Sequence, residues 1–138
     1  NIDERFAARY YDEVTVGIDF TARDRQRDLR SKGLPWELCK AFDNAAAVGR
    51  FVPLQEVGGE IGLITFRLDL NGQTVQLGRT ADMLFPVDRI VAFVSRFFTL
   101  RMGDLIYTGT PSGVGPVAIG DHLEGFIGDK RLLDFYIK

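Results

Sequence analysis

Alternating hydrophobic and polar positions predict strands along much of the chain. Apolar side chains occupy every even position of 14–20, and Asp19 falls on the polar side of that pattern. A similar alternation over 61–70 meets 74–78 across Asn71-Gly72, a dipeptide typical of a two-residue hairpin turn. Three more short strands, separated by turns rich in glycine and proline, are predicted over 104–108, 122–127 and 132–137.

Helices are predicted between these strands. Residues 22–32 form a highly charged helix, and the hydroxyl of Thr21 can accept a free N–H of its first turn. A second, shorter helix is predicted over 37–42, and 88–98 carries apolar side chains at helical spacing, which predicts an amphipathic helix. The mixture indicates an α+β, β-rich fold with a few short helices, built as one domain over 1–138.

Composition and charge exclude several classes of protein. Seventeen basic and nineteen acidic residues leave a formal net charge of −2, so we expect no nucleic-acid partner. One cysteine and one histidine exclude an intramolecular disulfide, a Cys-rich zinc site and a multi-His metal site. The apolar runs are too short to cross a bilayer, and the polar start at Asn1 is unlike an export signal. We therefore expect a cytoplasmic protein without a membrane partner.

The run GIDFTARDRQ (17–26) brings three kinds of polar group together. Asp19 ends a predicted strand, while Arg23 and Gln26 lie three residues apart on the next helix and can face the same space. A carboxylate, a guanidinium and an amide suit a small anion, with or without a divalent cation, because hard cations take oxygen ligands. The same residues also fit a solvated helix whose charged side chains pair with one another.

Lys40 lies on the second predicted helix among apolar neighbours. These neighbours can partly desolvate its ammonium group, which makes it a strong local electrophile. Alternatively, Lys40 is a surface lysine whose aliphatic stem covers Trp36. The adjacent Cys39 is expected to pack as a small hydrophobic side chain.

Two further segments carry candidate polar groups. In the loop 108–115, glycines such as Gly109 and hydroxyls such as that of Thr110 allow close approach to a carboxylate, although a tight turn explains the pattern equally well. His122 lies in a turn that enters a strand, where we expect a surface residue rather than a general base.

Taken together, these segments resemble the fumarylacetoacetate hydrolase family, and in particular its small acylpyruvase and oxaloacetate decarboxylase branch. The resemblance implies a mixed β-sandwich roll that forms a homodimer and holds one Mg²⁺ or Mn²⁺. It covers nearly the whole chain. The matching segments are GIDFTARDRQ (17–26), KGLPWELCKAFD (32–43), NGQTVQLG (71–78), TLRMGDLIYTGTPSGVG (99–115) and GDHLEG (120–125).

The resemblance also implies roles for the residues at matching positions. Asp19 matches a metal ligand, while Arg23, Gln26 and Lys40 match catalytic residues that line the substrate pocket. Thr110, beside Gly109, matches the threonine that binds the carboxylate of a 2-oxo acid substrate, and Lys40 also contacts the substrate.

Two parts of the family pattern differ in this sequence. The family's metal takes two further ligands from an upstream Glu-x-Glu strand, and no such pair precedes Asp19 here. The family's catalytic His–Glu pair also lies upstream, and His122 does not match that position. We therefore expect this chain to be the C-terminal part of a longer enzyme.

The implied activity is metal-dependent cleavage of a C–C bond in a short 2-oxo acid, either hydrolysis of an acylpyruvate or decarboxylation of oxaloacetate. These reactions place negative charge on the 2-oxygen as an enolate forms, and a divalent cation stabilises that charge. Two alternatives remain: an isomerase or tautomerase of the 2-hydroxyhepta-2,4-diene-1,7-dioate type, and a non-catalytic subunit that binds small acids.

The homodimer is expected by analogy only, since the apolar side chains of 88–98 can equally fill the core of one protomer.

Overall fold

A computed structural model describes residues 1–138 of the protein. The chain divides into two compact units, one formed by 1–16 with 49–138 and the other by 17–48. None of its helices has both the length and the apolar character needed to span a membrane. The regular elements are β1 (Glu13–Val14), β2 (Gly17–Asp19), α1 (Arg23–Ser31), α2 (Glu37–Lys40), β3 (Ala46–Val48), β4 (Val52–Pro53), β5 (Thr65–Leu70), β6 (Gln73–Arg79), α3 (Val87–Val94), β7 (His122–Ile127) and β8 (Lys130–Tyr136), with short 3-10 helices over Glu4–Arg9, Leu54–Val57, Ile61–Leu63 and Thr80–Asp82.

In the smaller unit, two short helices lie in the chain between a pair of antiparallel strands. β2 pairs with β3, and Ile18 lies opposite Ala47. The buried side chains are few, namely Leu29, Cys39 and Ala45. Cys39 is 0% exposed, which confirms its predicted packing as a small hydrophobic residue.

The helix predicted over 22–32 is confirmed, but its expected cap is wrong. The residue before α1 is Ala22, which makes no side-chain capping bond. The hydroxyl of Thr21 instead donates to the carbonyl of Asp19 (3.3 Å) and accepts a hydrogen bond from Lys40 (2.8 Å). Thr21 therefore bonds back toward the end of β2, and its hydroxyl is engaged away from the helix.

A four-stranded antiparallel sheet dominates the larger unit, in the order β6-β5-β7-β8. The hairpin predicted at Asn71-Gly72 is confirmed and joins β5 to β6. Both residues have positive φ angles, 51° and 78°, the conformation that a type I′ turn requires and that asparagine and glycine adopt at low cost.

One face of this sheet forms the hydrophobic core of the larger unit. Alternate residues of β7 are buried, as the period of a strand predicts. Gly125 lies on that strand where a Cβ atom would approach Cγ2 of Val16 to 2.7 Å, so this position requires glycine. The central buried cluster comprises Val52, Leu54, Ile64, Ile127 and Leu132.

The predicted strand over 14–20 is two strands in the structure. β1 pairs with β4, whereas β2 pairs with β3, so the alternation continues across a change of partner. The hydroxyl of Thr15 bonds the carbonyls of Val16 and Arg50 between the two strands, where the backbone leaves the ladder.

Three further predictions from the apolar pattern need correction. The strand predicted over 61–70 begins only at Thr65, because Ile61–Leu63 forms a short 3-10 helix. The helix predicted over 88–98 ends at Val94, and Phe97 and Phe98 beyond it are 68% and 67% exposed. No strand forms over 104–108. The backbone turns at Gly103 and at Gly109, which both have positive φ angles. The extended segment between these two turns is therefore short.

Candidate functional site

Asp19 and Lys40 form the polar centre of the smaller unit. The Lys40 ammonium donates to Oδ2 of Asp19 at 2.6 Å and to the Thr21 hydroxyl at 2.8 Å. Asp19 ends β2 and Lys40 ends α2, and the bond from the Ala22 N–H to the Cys39 carbonyl (3.1 Å) holds the two segments together. The lysine side chain is half-buried, with 31% of its surface exposed, so it does not extend freely into solvent.

Arg23 and Gln26 form a second pair on the first turn of α1. The Arg23 guanidinium donates to Oε1 of Gln26 at 2.6 Å, as their spacing of three residues allows. This bond engages the oxygen of the Gln26 amide and leaves its NH₂ group as the donor. Further along the helix, Asp28 and Lys32 form an exposed ion pair (2.7 Å), which is the pairing expected of a solvated charged face. Both pairs lie within the helix itself, and the binding of a small anion by Arg23 and Gln26 stays a prediction.

Thr110 and Gly109 lie in the larger unit, in a segment outside the helices and strands. Gly109 has a φ angle of 118°, in the region that favours glycine. The exposed hydroxyl of Thr110 accepts a hydrogen bond from the Gln76 amide at 2.9 Å, and the same amide nitrogen donates to the Pro111 carbonyl at 3.0 Å. Gln76 lies within the segment NGQTVQLG, but the sequence analysis assigned it no role, because its contact depends on how the distant loop lies against β6.

A group of ionisable side chains without an assigned role in the sequence analysis lies across β7 and β8. Nε2 of His122 is 2.6 Å from Asp134 and Nδ1 is 3.8 Å from Glu124, while the imidazole stacks on Tyr136 with ring centroids 4.4 Å apart. Glu124 and Asp134 are direct partners in the β7–β8 register, which would be unfavourable for two unpaired carboxylates. His122 and Glu124 lie two residues apart and therefore on one face of a strand, which is the signal that could have indicated this group.

The surroundings of Asp134 favour its charged form. The hydrogen bond from His122, with the positive charge of Arg131 nearby, lowers the pKa of the Asp134 carboxyl below its usual value of 3.8. Arg131 lies 2.7 Å from Glu124 and 3.1 Å from Asp134. His122, Glu124 and Asp134 place ligand atoms within 4.8 Å of one another and have the chemistry of metal ligands. A cation there would compete with two ion pairs to Arg131.

The Asp19 carboxylate can also hold a cation. Mg²⁺ and similar hard cations accept oxygen ligands and are commonly bound through one or two carboxylates, with water and substrate completing the shell. Oδ2 of Asp19 already binds the positive charge of Lys40. Asp19 is therefore suited to be one ligand of a metal ion. A complete metal site needs further ligands.

Comparison with known proteins identifies the family. The family profile described as fumarylacetoacetate (FAA) hydrolase C-terminal matches residues 1–135. The oxaloacetate tautomerase YcgM of Escherichia coli (strain K12) is 44% identical over 108 residues, which are 78% of this chain and 49% of that protein. The mitochondrial oxaloacetate tautomerase FAHD1 of Mus musculus is 39% identical over 137 residues, which are 99% of this chain and 62% of that protein.

A solved structure gives the same result for the fold. The crystal structure of fumarylpyruvate hydrolase from Pseudomonas aeruginosa in complex with Mn²⁺ and pyruvate has a TM-score of 0.89 and 36% identity, covering 99% of this chain and 58% of that chain. The fold class expected from the sequence is thereby confirmed. This chain spans between about half and two thirds of the length of the three proteins compared. The chain belongs to the fumarylacetoacetate hydrolase family.

Proposed function

We propose that the protein carrying this chain is a divalent-metal-dependent enzyme that cleaves a C–C bond of a short 2-oxo acid, by acylpyruvate hydrolysis or oxaloacetate decarboxylation. The observation that carries the proposal is the Lys40 ammonium, held by Asp19 at 2.6 Å and by Thr21 at 2.8 Å. A half-buried ammonium group held by two partners is a fixed positive charge. Membership of a family with tautomerase and hydrolase relatives supports the proposal.

Asp19 and Lys40 have complementary parts in this proposal. A bound Mg²⁺ or Mn²⁺ would supply Lewis-acid polarisation of the 2-oxo group. Asp19 would provide one carboxylate ligand to that cation, since Lys40 occupies only its Oδ2 atom. Lys40, still beside the hydroxyl of Thr21, then directs its positive charge at the oxygen of the substrate on which negative charge develops.

Arg23 and Gln26 add donors that are oriented before the substrate arrives. Because the guanidinium holds the amide oxygen at 2.6 Å, the NH₂ group of Gln26 has a defined direction. Donors fixed in this way need no reorganisation during the reaction, and the loss of one typically lowers the rate about a hundredfold. Thr110 and Gly109 are proposed to bind the carboxylate of the 2-oxo acid.

A tautomerase or isomerase is the second candidate function. It is favoured by the names of the Escherichia coli and Mus musculus relatives, both oxaloacetate tautomerases. The same fixed charges would stabilise the enol form of the substrate, but no water would attack and no C–C bond would break.

Product analysis distinguishes the two candidates. The full-length gene product, supplied with Mg²⁺ or Mn²⁺, is incubated separately with oxaloacetate, acetylpyruvate and a 2-hydroxy-dienedioate. Release of pyruvate accompanied by CO₂ or acetate supports C–C cleavage, while a change in the keto–enol ratio or in double-bond position without such release supports the second candidate. No conversion of any of the three would contradict both.

The Lys40→Ala variant tests the observation on which the proposal rests. We expect turnover to fall at least tenfold while the fold is retained, because a preorganised positive charge is lost from a partly exposed side chain. Lys32→Ala is the matched control, since Lys32 lies in the same unit and pairs with exposed Asp28. Equal kinetics in the two variants would remove Lys40 from the active site.

A further inference from the structure

The Gln76 side chain joins β6 to the segment that carries Thr110. Its amide nitrogen lies 2.9 Å from the Thr110 hydroxyl and 3.0 Å from the Pro111 carbonyl. A carbonyl oxygen only accepts hydrogen bonds, so the amide atom facing Pro111 is the NH₂ nitrogen. The Pro111 carbonyl therefore determines which end of the Gln76 amide faces the loop.

This orientation fixes the direction of the Thr110 hydroxyl. A hydroxyl group has one hydrogen to donate and two lone pairs that accept. Because the oxygen of Thr110 accepts from Gln76, its own hydrogen is directed elsewhere. Thr110 is exposed, so an incoming anion can receive that hydrogen.

The same segment is held to β6 at a second point. Gly113 has a φ angle of 100°, and a Cβ atom there would lie 2.2 Å from the carbonyl oxygen of Val75. The backbones of the loop and of β6 are thus in close contact one residue before Gln76. Residues 105–117 belong to no helix or strand, so contacts of this kind set the position of Thr110 in place of a strand ladder.

We propose that Gln76 is a positioning residue that makes the Thr110 hydroxyl a hydrogen-bond donor for the carboxylate of a 2-oxo acid. The identity of that ligand rests on the proposed function, whereas the contacts of Gln76 do not. Gln76 acts through Thr110 and does not itself touch the substrate.

The test is a double-mutant comparison read out by binding of pyruvate. Calorimetric titration of the full-length, Mn²⁺-supplied protein is expected to show binding weakened about tenfold in Gln76→Met and similarly in Thr110→Val, the size of one hydrogen bond to a charged group. The double variant should bind within about twofold of Thr110→Val alone, since the proposed effect of Gln76 on the ligand passes through the hydroxyl. Thr110→Ser, which keeps the hydroxyl, should bind nearly as well as the natural protein.

The control and the kinetic readout separate positioning from a general loss of structure. Gln73→Met changes the same residue type at an exposed position of the same strand and should leave binding unchanged. In steady-state assays with the substrate that is turned over, Gln76→Met should raise KM more than it lowers kcat. Further weakening of pyruvate binding by Gln76→Met in the Thr110→Val background would overturn the proposal, because it would show an effect that does not pass through the hydroxyl.

The remaining outcomes distinguish this inference from the proposed function. If Thr110→Val weakens binding while Gln76→Met does not, the positioning role is wrong and the carboxylate-binding role of Thr110 stands. If Thr110→Val binds pyruvate as well as the natural protein, the proposed role of Thr110 is wrong and the inference fails with it.

Discussion

At the scale of single residues, the Asp19–Lys40 ion pair contributes charge placement rather than stability. Its side chains are 47% and 31% exposed, and exposed ion pairs are typically worth only about 0–1 kcal/mol. The Thr21 hydroxyl adds a second contact that limits where the ammonium can move. The pair therefore serves to hold a positive charge in place, and its contribution to the stability of the fold is small.

Asp19→Asn tests this interpretation. We expect the free energy of unfolding to change by less than about 1 kcal/mol, because the pair is partly exposed, while Mn²⁺ affinity falls because an anionic ligand is lost. Urea denaturation and a metal titration measure the two quantities. Asp28→Asn, which removes the exposed partner of Lys32, is the control and should leave Mn²⁺ affinity unchanged.

His122→Phe, which removes the hydrogen-bond donor and keeps an aromatic ring beside Tyr136, tests the group formed by His122, Glu124 and Asp134. The hydrogen bond from His122 lowers the pKa of Asp134, so its removal should raise that pKa toward 3.8. A lowered pKa in the folded state stabilises the protein above the unfolded value of 3.8, and this contribution is lost as the pH falls through the folded value. NMR titration of the carboxyl groups measures the shift. Glu56, whose pKa is lowered by Lys130 instead, is the internal control. An unchanged pKa of Asp134 would contradict this explanation.

Residue-scale predictions succeeded where the contact is local. Arg23 and Gln26 are three residues apart, so their pairing follows from helix geometry alone. Lys40 is 21 residues from Asp19, and its contact depends on how α2 packs through Cys39. Both residues are candidates in the sequence, but no local pattern joins two positions that lie so far apart in the chain.

At the scale of elements, the hairpin could be predicted because its signal is contained in two residues. Asn71 and Gly72 adopt the positive φ angles that the turn demands. No strand forms over 104–108, because a strand requires pairing with a second strand, and a short apolar segment between turns does not specify that pairing. The helix expected over 88–98 ends early, and apolar spacing does not distinguish its last turn from the segment after it.

Gly72→Ala tests the contribution of the hairpin turn. The φ angle of 78° favours glycine, and an L-residue there costs roughly 1–2 kcal/mol. The free energy of unfolding from urea denaturation should fall by about that amount. Gly62→Ala is the control, because Gly62 has no positive φ angle and a Cβ atom there meets nothing within 4 Å. An equal loss in both variants would contradict a specific requirement at the turn.

At the scale of the whole molecule, the chain has two candidate places for a cation, and the carboxylates at each have different partners. Asp19 binds a single lysine, whereas Glu124 and Asp134 share Arg131 and a histidine. At Asp19 the ammonium of Lys40 occupies one carboxylate oxygen, while a cation on the β7–β8 group has to compete with two ion pairs to the Arg131 guanidinium. This difference, together with the family motif around Asp19, favours Asp19 as the metal ligand.

An anomalous-scattering map of the full-length protein, crystallised with Mn²⁺, tests this claim most directly. We expect a peak at direct coordination distance from an Asp19 carboxylate oxygen, with the Lys40 ammonium still beside Thr21. A peak on His122, Glu124 and Asp134 alone, with Asp19 still paired to Lys40, would contradict it.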